Sequence, residues 1–162
     1  MKNLIIKLAL FSVIGLLLGS CQSAKLYEHS KTKKDYKNPD GEKLTVKITG
    51  YCQCSECTNW TKNKEGQTVV KSGDDKGKFK TVGKTTSGTK MRKKLTLAAN
   101  IKKFPYGTRI QIPGWGLGVV EDERVLPPNH IEIYFSSHSD AVKWGEQEKE
   151  VTVYYMVEKL KK

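Results

Sequence analysis

Hydrophobic and polar residues alternate in short runs between residues 43 and 157, which predicts a series of β-strands. In the first run, Leu44, Val46 and Ile48 alternate with polar residues, as in a strand that buries one face. Further strand signals follow at 95–99, 109–112, 117–121, 131–135 and 151–157. Turn residues separate these runs, so the pattern predicts an all-β domain, built as a small barrel or a sandwich.

One helix and one long polar segment interrupt the strands. Ser137, with Asp140 three residues later, resembles a capping box, and Gly145 predicts the end of a helix after Trp144. Residues 61–84 are rich in charged residues and glycine, which predicts a long loop or a poorly formed hairpin. The chain has no internal repeat, and we expect a single folded domain.

The first twenty residues have the layout of a secretory signal. Lys2 and Lys7 precede an apolar run at 8–18 that is too short for a membrane span. The segment Leu18-Gly19-Ser20-Cys21 then resembles the bacterial lipobox, in which the cysteine is lipidated and becomes the first mature residue. An ordinary signal peptide with an incidental cysteine is the alternative. We predict a lipoprotein signal peptide at 1–20 and an exported protein anchored to the cell membrane through Cys21.

The chain of 162 residues has a formal charge of +12, and removal of residues 1–20 takes away two lysines and leaves +10. A basic chain often binds nucleic acid, but export makes that partner unexpected here. At the cell envelope the charge favours anionic lipid headgroups or wall polymers. The polar, lysine-rich residues 21–42 predict a lipidated flexible tether, and residues 159–162 form a basic tail.

Seven short motifs occur in a set order in the predicted strand region. They are Thr49-Gly50-Tyr51-Cys52, Thr86-Ser87-Gly88-Thr89, Phe104-Pro105-Tyr106-Gly107-Thr108, Ile112-Pro113-Gly114-Trp115-Gly116, Glu121-Asp122, Ile131-Glu132-Ile133-Tyr134-Phe135 and Ala141-Val142-Lys143-Trp144-Gly145. Together they resemble the 3D domain, named for three aspartates, of bacterial envelope and spore-wall proteins. The resemblance implies a six-stranded double-psi β-barrel over residues 43–158, related to membrane-bound lytic transglycosylase A, rare lipoprotein A and the expansins.

The resemblance also implies peptidoglycan binding and, in active members, cleavage of the glycan strand. The family's three aspartates correspond to Asn100, Asp122 and Glu132, and residues 123–128 replace its glycine-rich stretch. A lytic transglycosylase needs only one carboxyl group as acid and base. Because Ile131 and Ile133 are expected to face the core, Glu132 faces the opposite side. We expect Glu132 to be the acid and base, with Asp122 assisting.

The alternative is a module of the same fold that binds glycan or a partner without cleaving it, which the loss of two aspartates favours. The resemblance implies that Tyr51, Thr86, Ser87 and Gly88 bind the substrate. Alternatively, Tyr51 packs in the core, and the residues at 86–88 form a simple turn before a strand. We expect a monomer without a cofactor, with peptidoglycan glycan strands as its partner.

Three cysteines form a Cys-Xaa-Cys-Xaa-Xaa-Cys motif at Cys52, Cys54 and Cys57. In an exported protein a disulfide is the default, so we predict that two of them pair and one is left over. A zinc site would need a fourth ligand, for which His138 or His130 is available. Zinc is the second choice, and no metal is predicted.

The lipobox interpretation predicts the behaviour of one variant. Cys21→Ser lacks the thiol that accepts the lipid, so it should stay uncleaved or leave the membrane fraction, as measured by fractionation and intact mass. A processed Cys21→Ser protein that remained bound to the membrane would contradict this interpretation.

Overall fold

The structure is a computed structural model that describes residues 36–156. The predicted signal peptide, Cys21, residues 22–35 of the tether and the basic tail lie outside these residues. The described elements are β1 (Glu42–Tyr51), α1 (Ser55–Thr58), β2 (Trp60–Lys62), β3 (Thr68–Val70), β4 (Thr96–Ala99), β5 (Arg109–Ile112), β6 (Gly116–Glu123), β7 (His130–Tyr134), α2 (His138–Trp144) and β8 (Glu146–Tyr154). Within the described part of the chain, no helix has the length and hydropathy needed to cross a membrane.

Six of the strands close into a barrel in the order β1, β7, β4, β6, β5, β8, with β8 pairing back to β1. Two neighbouring pairs are parallel, namely β1 with β7 and β4 with β6. The other four pairs are antiparallel. Parallel neighbours cannot be joined by a tight hairpin, and between β4 and β6 the chain passes through β5. The prediction of an all-β fold with a six-stranded barrel is confirmed.

The interior of the barrel is filled by inward-facing side chains of the six strands and by Phe104 from the loop after β4. The strand residues are Val46, Ile48, Leu97, Ala99, Ile110, Ile112, Val120, Ile131, Ile133, Val151 and Val153. Full burial of one such valine, leucine or isoleucine stabilises the fold by about 1.5–3 kcal/mol. The alternation that predicted the strands is therefore the alternation between the core and the outer face.

The predicted helix forms at the expected place. Its N-cap is Ser137, whose side chain accepts a hydrogen bond from the backbone N–H of Asp140, and its C-cap is Gly145. The helix packs closely on β1 at Gly50, where an added Cβ would lie 2.7 Å from the carbonyl oxygen of Ala141. Real Cβ atoms essentially never approach a backbone atom so closely, so only glycine allows this approach. The helix N-terminus is thereby held beside the chain that follows β1.

The last strand begins earlier than the sequence predicts. Apolar alternation starts at Val151, whereas β8 starts at Glu146. The polar first half of β8, from Glu146 to Glu150, pairs with β1. Most side chains from Glu146 to Glu150 are exposed or half-buried, so this half of the strand carries no hydrophobic signal. This half is defined by its backbone pairing with β1 and by ion pairs such as that of Glu146 with Lys47.

The folded domain also begins earlier than the predicted boundary at residue 43. Tyr36 forms a bridge with Met156, and the Asn38 side chain donates to the carbonyl of Val153 and accepts from the N–H of Tyr155. Asn38 thus satisfies two backbone groups near the end of β8. Residues 36–42, assigned to the tether by their polarity, are part of the domain.

The polar segment 61–84 contains the short hairpin that was one of its two predicted forms. Strands β2 and β3 pair as a separate two-stranded sheet, and Val69 of β3 also bridges to Phe79. The one-turn helix α1, which the sequence pattern did not predict, precedes this hairpin.

Candidate functional site

A row of register partners places the two predicted carboxylates on one face of the barrel. Ala98 of β4 pairs with Glu132 of β7 on one side and with Asp122 of β6 on the other. Register partners in neighbouring strands point to the same face. The strand neighbours of Glu132, Ile131 and Ile133, point into the core. Glu132 and Asp122 therefore lie on the outer face, with the small side chain of Ala98 between them.

A register shift in β6 determines that Asp122 joins this row. Leu97 pairs with Val120, whereas the next residue, Ala98, pairs with Asp122. Glu121 is skipped, as happens at a β-bulge, and bulges commonly re-aim side chains next to functional sites. The shift is invisible in the alternation of the sequence.

Asp122 is a buried carboxylate surrounded by hydrogen-bond donors. Its Oδ1 accepts from the backbone N–H of Thr86 at 2.8 Å and from the Thr86 hydroxyl at 2.5 Å. Its Oδ2 accepts from the hydroxyl of Tyr51 at 3.3 Å, and the backbone N–H of Glu123 also donates to Oδ1. Burial raises the pKa of Tyr51, and the charge of Asp122 adds to this shift, so the phenol keeps its proton and donates. Asp122 is a fixed anion that organises the loop before β4.

The predicted substrate-binding residues occupy two different environments. Tyr51 is buried, with 1% of its surface exposed, so its ring has no free face for a sugar and instead supports Asp122. Thr86 is exposed and also holds Asp122, while Ser87 and Gly88 form an exposed turn beside it. The buried Thr85, which no sequence motif singled out, closes this turn through a hydroxyl contact with Ser87 at 3.1 Å.

Glu132 lies in a less polar environment than Asp122. Its side chain is 16% exposed, and its buried Oε2 lies 3.1 Å from Nε of Arg124. Burial raises the pKa of Glu132 above its ordinary value; Arg124 and a hydrogen bond with Thr49 oppose this effect, and the charge of Asp122 adds to it. Because burial is the largest effect, the net shift favours the protonated acid.

Arg124 is the residue of this site that the sequence motifs did not indicate. Besides its ion pair with Glu132, its guanidinium lies over the ring of Tyr51, 5.0 Å from the centroid. Its Nη2 donates to the backbone carbonyl of Cys57 at 2.5 Å. The available signal was the segment 123–128 itself, which differs from the glycine-rich stretch of the 3D domain that the chain resembles and places a cation directly after the acidic residues.

Asn100, which the resemblance aligns with the first aspartate of the 3D domain, has a structural role. Its Oδ1 accepts from the N–H of Lys102 at 3.0 Å, and its Nδ2 donates to the carbonyl of Leu126 at 3.1 Å. A carboxylate has no proton to donate to that carbonyl. Asn100 therefore holds the segment that carries Arg124.

An open groove of about 430 Å³ lies beside Asp122. Asp122 and Arg124 line it together with residues of the 79–86 loop, whereas Glu132 does not line it. Phe79, at its edge, is 76% exposed. This groove was not predicted from the sequence, in which the available signal was an isolated aromatic residue in a stretch rich in lysine and glycine.

The disulfide predicted among the three cysteines is not formed in the structure. Cys52, Cys54 and Cys57 are free thiols, grouped around the imidazole of His138. The other candidate histidine, His130, hydrogen-bonds to a threonine hydroxyl on β1 at 2.8 Å and does not belong to this group.

No protein-family model matches this chain, and no curated protein matches it at a significant level. The closed six-stranded barrel is compatible with the 3D-domain resemblance.

Two tyrosines test how strongly the fold depends on Asp122. Tyr51→Phe removes a buried hydrogen bond to a carboxylate and should lower the free energy of unfolding by about 1–3 kcal/mol. Tyr106→Phe removes a bond of the same 3.3 Å length to Glu123 at an exposed position, and should cost less than about 0.5 kcal/mol. Urea denaturation measures both, and equal losses would contradict the role assigned to Asp122.

Proposed function

We propose that this protein binds the glycan strand of peptidoglycan and cleaves it by lytic transglycosylation, with Glu132 as acid and base. One observation carries the proposal: two carboxyl groups in unlike surroundings share one face of the barrel, and one of them, Asp122, lines an open groove. Asp122 is held by donors, whereas burial raises the pKa of Glu132. Carboxyl pairs with unlike environments are the usual arrangement for acid–base chemistry on a glycosidic bond.

In the proposed reaction, protonated Glu132 donates its proton to the glycosidic oxygen, and the bond from this oxygen to C1 of the muramyl sugar breaks. The resulting carboxylate takes the proton of the 6-hydroxyl of the same sugar, whose oxygen then bonds to C1. The products are a 1,6-anhydromuramyl end and a free hydroxyl on the departing strand. Glu132 is protonated again, and no water is consumed.

Asp122 supports this chemistry without exchanging a proton. Its negative charge raises the pKa of Glu132 further, which favours the protonated acid. The same charge stabilises the positive charge that develops at C1 as the glycosidic bond breaks. The donors around Asp122 fix its position before the substrate arrives.

The groove beside Asp122 suits a glycan with acidic substituents. Phe79 offers an exposed ring on which the apolar face of a sugar can stack. Lys80, Lys84 and Arg124 line the same groove and supply positive charge for the lactyl and peptide carboxylates of peptidoglycan.

The ion pair between Arg124 and Glu132 favours a second candidate function, that of a glycan-binding module without cleavage. Arg124 opposes the rise in the pKa of Glu132 and favours its ionised form, which has no proton to donate. In this alternative the same groove binds glycan. Asp122 and Glu132 then serve only to hold the segments that carry Thr86 and Arg124.

We place the domain at the cell envelope, exported and anchored through Cys21, on the basis of the signal sequence and lipobox. Residues 22–35 then serve as a spacer that lets the barrel reach the wall.

Replacing the proposed acid tests the cleavage reaction. Glu132→Gln keeps the size of the side chain but has no titratable proton, so release of 1,6-anhydromuropeptides from purified peptidoglycan should fall about 10²–10⁴-fold. Co-sedimentation with insoluble peptidoglycan should persist. The matched control is Glu148→Gln on the exposed face of β8, which should cleave like the wild type.

If Glu132→Gln released as much 1,6-anhydromuropeptide as the wild type, Glu132 would not be the acid of the reaction. A wild-type protein that sedimented with peptidoglycan and released no anhydromuropeptides would leave the binding module as the function.

The opposing effect of Arg124 predicts a shift in the pH profile. Protonated Glu132 is the active form, so cleavage should fall as the pH rises through its pKa. Because Arg124 lowers this pKa, Arg124→Gln should move the alkaline limb of kcat/KM to higher pH. Lys102→Gln removes one charge from an exposed loop and should leave that limb in place. An alkaline limb that moved equally in both variants would indicate a general charge effect instead.

A further inference from the structure

Three thiols and one imidazole converge at one end of the barrel, outside the carboxyl site. Cys52 follows β1, Cys54 and Cys57 lie at the N-cap and within the single turn of α1, and His138 is the first residue of α2. Their ligand atoms all lie within 4.8 Å of one another. Nothing in the proposed carboxyl chemistry uses these four side chains.

The distances fit four ligands around one ion. Nδ1 of His138 lies 3.4 Å from the sulfur of Cys54, 3.5 Å from that of Cys57 and 4.0 Å from that of Cys52. A tetrahedral zinc ion with its ordinary Zn–S and Zn–N bond lengths holds sulfur and nitrogen ligands about 3.6 Å apart. A disulfide would instead require two sulfurs to approach to about 2 Å, and would leave the third without a partner.

The surroundings of the four ligands support the same arrangement. Nε2 of His138 faces the carboxylate of Glu56 at 3.5 Å, which directs the proton to Nε2 and the lone pair of Nδ1 towards the sulfurs. The backbone N–H of Cys54 donates to the sulfur of Cys52, and the N–H of Cys57 donates to the sulfur of Cys54, each at 3.4 Å. Such donors stabilise thiolates, the form in which cysteine binds a metal.

We propose that Cys52, Cys54, Cys57 and His138 form a structural zinc site. Three thiolates and one imidazole are a common ligand set of structural zinc, and soft sulfur ligands disfavour magnesium and calcium. All four positions of the tetrahedron are filled by the protein, so the site has no open position for a substrate. The ion ties α2 to the chain that follows β1, and this inference does not depend on the proposed cleavage activity.

The test measures metal directly. Full-length protein prepared with zinc under reducing conditions should contain one zinc per chain by elemental analysis. Cobalt in place of zinc should give the intense visible bands of a tetrahedral ion and a sulfur-to-cobalt charge-transfer band. Cys54→Ser and His138→Ala should lose stoichiometric zinc, whereas the matched controls Cys21→Ser and His130→Ala should keep it. Glu56→Gln should bind zinc about 10–100-fold more weakly.

Two further measurements separate loss of the site from loss of the fold. His138→Cys restores a fourth ligand and should bind zinc again. Chelation should lower the Tm of the wild type and leave that of His138→Ala unchanged. The proposal is overturned if the reduced wild type takes up no zinc, if cobalt gives an octahedral spectrum without charge transfer, or if His138→Ala and His130→Ala bind zinc alike.

Discussion

A buried carboxylate is tolerated only when donors surround it, and Asp122 meets this condition with groups from separate parts of the chain. Tyr51 donates from the end of β1, Thr86 from the loop before β4, and Glu123 from β6 itself. Removing any one of these donors would leave the charge of Asp122 partly without a hydrogen-bond partner. The three segments are therefore fixed relative to one another. The same hydrogen bonds position the groove and Arg124. Asp122 lines the groove, and Arg124 follows Asp122 by two residues along the chain.

Asn100 and the segment 123–128, at both of which the chain differs from the 3D-domain motifs that it resembles, are physically linked. The side-chain amide of Asn100 donates to the carbonyl of Leu126 in this segment. The backbone N–H of Arg124 in that segment also donates to the carbonyl of Ala99. This segment is therefore anchored to the end of β4 from two sides, and its Arg124 side chain reaches Glu132. Asn100 and Arg124 thus belong to the same local structure.

The sequence predicts those features that depend on local alternation and capping. The strands around Ile48, Ile110 and Ile133 are predictable because every second residue of a strand faces the same side, and the helix that follows Ser137 is predictable from its capping residues. The register shift next to Ala98, the polar half of β8 and the contacts of Arg124 depend on residues distant in sequence. The group of cysteines with His138 was not predicted for the same reason. His138 lies beside the cysteines because Gly50 lets α2 pack close to β1.

On the proposed function, Glu132 is balanced between burial, which raises its pKa, and the cation Arg124, which lowers it. A glycan strand in the groove would act on the second effect, because its carboxylates would compete for Arg124, which lines the groove. Weaker pairing with Arg124 favours the protonated acid. Burial already raises the pKa of Glu132 in the free protein, so a substrate that drew Arg124 away would add to a shift in the same direction.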